Sequence, residues 1–191
     1  MNILLLDNYD SFTHNLYHYL LIAGAINVEV RFNDDITLDE VNNFDAIVLS
    51  PGPGLPKDAG IMAEVIKEFC LKKPIFGVCL GHQAIAEHFG ASLFNLPEIF
   101  HGVARKTFLK PNLEPIFEGI SETINTGRYH SWAVSLSGFP LHLTVTAMDE
   151  NEVIMAFRHN SLPILGVQFH PESILTDFGQ KMISNWVASL K

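Results

Sequence analysis

Short apolar runs separated by amphipathic stretches organise the first half of the chain. The runs cover residues 3–6, 28–32, 46–49 and 74–78, each bounded by charged or turn-forming residues. Runs that short predict strands, at least three of them buried on both faces. Between them lie helical patterns. Residues 11–23 have Asp10 and Ser11 as cap candidates and stop at Gly24. Residues 37–42 form a shorter candidate. Residues 59–71 place Ile61, Met62, Val65, Ile66 and Phe69 on one stripe at helical spacing. A last one, 82–89, stops at Gly90. Strand alternating with helix predicts βαβ units, hence a mostly parallel central sheet with helices on both faces.

The second half changes character. Residues 103–110, 141–148, 153–159 and 164–169 are strand-like, separated by Pro, Gly and Asn turns with no long helix between them. They predict antiparallel or mixed strands added to the sheet. A closing helix over 177–190 would bury Phe178, Met182, Ile183, Trp186, Val187 and Leu190. Without a Gly-, Ser- or Pro-rich linker, a repeat or a low-complexity segment, residues 1–191 read as one α/β domain.

Composition narrows the function classes. The 191 residues are 48% hydrophobic and 17% charged, with a formal net charge of −9. That balance argues against nucleic acid, which needs clustered Lys and Arg. No apolar stretch nears the roughly 20 residues that span a bilayer, so no membrane role is expected. The start of the chain lacks a basic region and reaches Asp7 too early for a signal peptide. The two cysteines, Cys70 and Cys79, fit a reducing compartment, and the chain is expected in the cytoplasm.

Cys79 carries the strongest chemical signal. It sits in Gly77-Val78-Cys79-Leu80-Gly81, after an apolar run and before a helical pattern. A Gly-x-nucleophile-x-Gly turn between strand and helix is a nucleophile elbow. A thiol there faces unpaired N–H groups and the positive end of the helix dipole, which favour thiolate. Cys70, beside Phe69 and Leu71 in a helix, lacks that context and reads as structural.

Downstream, Gln168-Phe169-His170-Pro171-Glu172 offers a histidine with a carboxylate two positions later. Proline between them should keep the backbone extended, so that both side chains point to one site. Cys79, His170 and Glu172 are the parts of a thiol-based acyl-transfer site. Ser50-Pro51-Gly52-Pro53-Gly54 follows a predicted strand and lacks the Gly-Lys-Ser/Thr of a phosphate loop. Its N–H at Gly52, with that of Leu80, could hold an oxyanion. His14 and His18 are four apart on a predicted helix, but without a third ligand they suggest no metal.

The motifs around Cys79, Ser50–Gly54 and His170-Pro171-Glu172 together resemble class I (triad-type) glutamine amidotransferases. Leu6-Asp7-Asn8-Tyr9-Asp10-Ser11-Phe12-Thr13 and Gly127-Arg128-Tyr129-His130-Ser131-Trp132 resemble the branch that serves chorismate-utilising synthases. That branch comprises component II of anthranilate synthase and the aminodeoxychorismate synthase glutaminase. The resemblance spans essentially the whole chain and implies a flavodoxin-like fold.

It implies Cys79 as nucleophile, His170 as general acid/base and Glu172 as its orienting partner, with Gly52 and Leu80 as the oxyanion hole. Gly52, Pro53, Gly54, Gln83, Ser131 and Trp132 would hold the substrate L-glutamine. Trp132 stands where relatives often carry Leu. The expected partner is a chorismate-binding large subunit that uses magnesium, with no cofactor in this chain. Anthranilate synthesis is the first expectation and aminodeoxychorismate synthesis the second. A stand-alone γ-glutamyl hydrolase and a flavodoxin-like binding module are further alternatives.

Overall fold

Successive residues of the first apolar run enter two different cores. Ile3 and Leu5 pack on one side of a sheet with Leu16, Leu20, Met182, Ile183 and Trp186. Leu4 and Leu6 pack on the other with Val41, Met62, Val65, Ile66 and Ile85. A strand buried on both faces therefore needs no polar position, which explains the unbroken run.

The computed structural model describes residues 1–190. In chain order it begins β1 (Asn2–Asp7), α1 (Thr13–Ile22), β2 (Asn27–Phe32), α2 (Leu38–Val41) and β3 (Ala46–Leu49). Then come α3 (Met62–Phe69), β4 (Ile75–Val78) and α4 (Leu80–His88). The second half holds β5 (Leu93–Asn95), β6 (Val103–Leu109), β7 (Thr123–Arg128), β8 (Trp132–Val134) and β9 (Leu143–Asp149). β10 (Ile154–His159), β11 (Ile164–Val167) and α5 (Gly179–Ser189) complete it.

Nine strands form one sheet in the order β2-β1-β3-β4-β11-β10-β9-β6-β7, and β5 pairs with β8 apart from it. The pairings from β2 through β11 are parallel, and those from β11 through β7 antiparallel. α1 and α5 cover one face; α3 and α4 cover the other. This is the predicted α/β architecture, with β6, β9, β10 and β11 adding the expected antiparallel or mixed part of the sheet. None of the described helices is long and apolar enough to cross a membrane.

The structure corrects several local expectations. β5, β7 and β8 were not foreseen. β7, Thr-Ile-Asn-Thr-Gly-Arg, exposes Thr123 and Asn125 and buries Thr126 and Arg128 against polar partners. Thr126 shares a hydroxyl–hydroxyl bond of 2.7 Å with Thr107, and Arg128 pairs with Asp149 at 2.5 Å. α1 starts at Thr13 with no side-chain cap; Asp10 instead accepts the Phe12 N–H at 2.7 Å. α5 starts two residues later than expected. Phe178 lies outside it in a left-handed conformation, and its side chain is 51% exposed rather than buried.

Candidate active site

One residue separates β4 from α4, and it is Cys79. Its φ of 51° and ψ of −98° lie outside the usual regions for a side-chain-bearing residue. Such a conformation costs on the order of 1–3 kcal/mol and persists only where the surroundings impose it. Here they do. A Cβ on Gly77 would lie 2.5 Å from the Gly81 carbonyl carbon, and one on Gly81 would lie 2.5 Å from the Leu49 oxygen. The two glycines let strand and helix close on each other and on β3. The Cys79 N–H donates to the Val167 carbonyl at 2.8 Å, tying the elbow to β11.

Cys79 faces a cleft of about 130 Å³. Gly52, Pro53, Gly54, Leu80, Gln83, Ser131 and Trp132 line it too, with Tyr129 and His130. The Ser50–Gly54 loop is fixed by Asn8. Its side-chain amide donates to the Ser50 carbonyl at 2.9 Å, and its backbone N–H to Ser50 Oγ at 2.8 Å. Any side chain at Gly52 would meet Asn8 at 2.6 Å and Leu80 at 2.9 Å, so only glycine lets the loop approach the elbow this closely. Among the described residues, neither the Gly52 nor the Leu80 N–H is committed to an acceptor. Both can serve a developing negative charge.

His170 and Glu172 do not sit on extended backbone. Residues 170–173 form a turn, with the Ser173 N–H donating to the His170 carbonyl at 3.2 Å. Proline's φ of about −65° suits a turn as well as a strand. The side chains still meet, His170 Nδ1 to Glu172 Oε1 at 2.7 Å, both buried. Thr176 Oγ1 donates to the His170 carbonyl at 2.6 Å and secures the turn.

The imidazole is also gripped by two rings. The Tyr129 centroid lies 4.7 Å away and the Phe12 centroid 5.7 Å away. Burial opposes charge on His170, but the neighbouring Cys79 and Glu172 more than offset it and hold the imidazole well above its usual range. Burial likewise pushes the Glu172 carboxyl up, against the pull of His170. Both directions keep the proton in the pair. His170 Nε2 has no hydrogen-bond partner among the described residues and remains free for a proton transfer.

The opposite wall depends on a buried histidine. The Trp132 carbonyl receives bonds from Gln83 Nε2 at 2.8 Å and from His130 Nδ1 at 2.9 Å. Burial lowers His130 to about 4, so it is neutral with its proton on Nδ1. Behind it Arg128 is enclosed, bonded to Asp149 and to the Lys106 carbonyl at 2.9 Å. This anchors the strand end from which Tyr129 to Trp132 depart.

Every catalytic or pocket candidate singled out in the sequence thus reaches one region. Cys79 and the six glutamine-pocket candidates share the cleft with Leu80; His170, paired with Glu172, touches it through the ring of Tyr129, 4.7 Å away. Cys70 packs in the core on the other face of the sheet, and His14 and His18 are exposed on α1. Sequence reasoning gave no role to Asn8, Phe12, Tyr129, His130 or Gln168. Four of them lie inside quoted motifs, and Gln168 opens the His170 motif. The side-chain contacts of Asn8, Phe12, Tyr129 and Gln168 cross between segments far apart in the chain, where spacing carries no signal, while His130 bonds the Trp132 carbonyl two residues on.

Fold and cleft define a class: doubly wound α/β proteins with a thiol at the nucleophile elbow and a histidine–carboxylate pair beside it. The chain belongs to the class-I glutamine amidotransferase family, whose model matches residues 4–190. It is 46% identical over 191 residues to aminodeoxychorismate/anthranilate synthase component 2 of Bacillus subtilis, covering 99% of this chain and 97% of that one. It is 42% identical to aminodeoxychorismate synthase component 2 of Escherichia coli, covering 97% and 98%. Its fold matches that of a Thermoplasma acidophilum protein assigned to GMP synthase, with a TM-score of 0.88 and 28% identity. That match covers 100% of this chain and 94% of the other.

Proposed function

We propose that this chain hydrolyses glutamine at Cys79 and passes the ammonia to a chorismate-binding synthase subunit, forming anthranilate for tryptophan synthesis. The observation that carries the chemistry is the Cys79 elbow, with uncommitted N–H groups at Gly52 and Leu80 beside it and the His170–Glu172 pair against it.

Cys79 sulfur attacks the side-chain amide carbon of glutamine, and the Gly52 and Leu80 N–H groups receive the oxyanion. Losing one such donor typically costs about 10²–10³ in rate. His170 Nε2 gives its proton to the departing ammonia as the C–N bond breaks, leaving a γ-glutamyl thioester. The same nitrogen then takes a proton from water, which attacks the thioester and frees glutamate and the thiol. Gly52 to Gly54, Gln83, Ser131 and Trp132 hold the glutamine. Chorismate and its magnesium belong to the partner, and the pair works in the cytoplasm.

The names of relatives support a second product. The Escherichia coli relative is named for aminodeoxychorismate, a step toward folate, and the Bacillus subtilis relative for both products. The deciding assay adds this chain to each large subunit in turn, with chorismate and glutamine. Anthranilate with the first partner alone supports the proposal; aminodeoxychorismate with the second alone overturns the tryptophan assignment; activity with both marks a shared subunit. Cys79→Ala must abolish glutamine hydrolysis, and retained hydrolysis would overturn the catalytic reading.

A further inference from the structure

We propose that Gln168 belongs to the catalytic machinery: its side-chain N–H holds the Cys79 sulfur and, through Gln83, links the nucleophile to the wall of the glutamine cleft. The inference rests on Cys79 being the nucleophile and adds the group that stabilises its charged form.

The parallel register of β4 and β11 places the two residues together. Val78 pairs with Val167, so Cys79 and Gln168 leave the sheet side by side. Gln168 is wholly buried, and its Nε2 lies 3.6 Å from Cys79 Sγ. Its Oε1 faces Gln83 Nε2 at 3.1 Å, and the same Gln83 nitrogen faces the Trp132 carbonyl at 2.8 Å.

The chemistry of this chain fixes which way each amide points. A carbonyl oxygen only accepts, so the Gln83 atom facing Trp132 is nitrogen. That nitrogen donates its second hydrogen, so the Gln168 atom facing it is oxygen. The remaining Gln168 atom, turned toward sulfur, is therefore the NH₂ group. A neutral thiol accepts such a bond weakly, whereas a thiolate accepts it as a charge-assisted bond about twice as strong. The buried relay thus favours the charged nucleophile without touching the reacting carbonyl. It also places Gln83, a wall of the cleft, one hydrogen bond from the residue that holds the sulfur.

The test is alkylation of Cys79 by iodoacetamide, in which sulfur displaces iodide from carbon, followed by peptide mass mapping to separate Cys79 from Cys70. No glutamine is involved, so the outcome is independent of the glutaminase assignment, which stands or falls with Cys79→Ala. Gln168→Met is expected to alkylate about tenfold more slowly at pH 7 and to converge with the unsubstituted protein near pH 10. Its kcat should fall by a similar factor with KM little changed. Gln168→Glu, which turns an acceptor toward sulfur, should fall at least as far at pH 7. Equal rates at pH 7, or a deficit that persists at pH 10, would overturn the proposal, the second pointing to shape alone.

Should either variant fail to fold, the ¹⁵N-labelled protein decides. The Gln168 side-chain amide protons should lie downfield of their position in Cys79→Ala. Identical positions would sink the idea.

Discussion

His170 Nδ1 and Glu172 Oε1 meet at 2.7 Å across a turn, both side chains closed off from solvent. A carboxylate there fixes the proton on Nδ1, presents Nε2 to the cleft and supports the imidazolium. Glu172→Gln retains the shape and removes the charge. We expect kcat to fall about 10²–10⁴-fold with KM little changed. Glu172 is one of the groups holding His170 high, so its loss lowers that histidine. The alkaline limb of the pH–rate profile should therefore move to lower pH; a limb that stays in place would count against this role.

Gly81 and Leu49 meet so closely that a methyl group on the glycine would sit 2.5 Å from the Leu49 carbonyl oxygen. Gly81→Ala must push α4 away from β3, and overpacking of this kind typically costs about 1–3 kcal/mol. Thermal unfolding should show that loss. Because the displaced helix starts at Leu80, glutaminase activity of the still-folded fraction should drop as well. An unchanged midpoint would mean that the elbow is looser than its geometry implies.

Glu114 lies far from the cleft in sequence and is buried, its carboxyl pushed up to about 7 by that burial, while it accepts the Ile116 N–H at 3.2 Å. Between pH 4.5 and about 7 the unfolded chain is ionised at this position while the folded protein keeps its proton. Folding stability from this group therefore falls as pH rises through that window, by about 1.4 kcal/mol per pH unit at most. Glu114→Gln keeps an oxygen for Ile116 and removes the titration. It should unfold at a higher temperature than the unsubstituted protein at pH 8, with the gap closing toward pH 4.5. A constant gap across that range would contradict the assignment.

The parts legible in the sequence share a physical origin: each depends on near neighbours in the chain. Buried parallel strands read as unbroken apolar runs at residues 3–6 and 46–49, and α3 reads as a stripe at helical spacing. The elbow at Cys79 is legible because its constraint, a glycine two residues to either side, is local. The histidine–glutamate pair is legible for the same reason. The backbone beneath it was not: proline fits both an extended segment and the turn that forms. β7 escaped because its buried polar residues, Thr126 and Arg128, pair with Thr107 and Asp149, partners no local pattern can supply.

Sequence alone thus determined the fold class and the candidate nucleophile and base, and its resemblance to a family implied the candidate glutamine pocket. Only the tertiary structure decided how the pocket is held together. The pairing of Val78 with Val167 carries Gln168 to the sulfur, Asn8 on β1's end fastens the Gly52 loop, and Phe12 with Tyr129 grips His170. Hydrogen bonds and ring contacts between distant segments exist only once the sheet has set the strands in register. Backbone pairing and burial then choose which side chains meet.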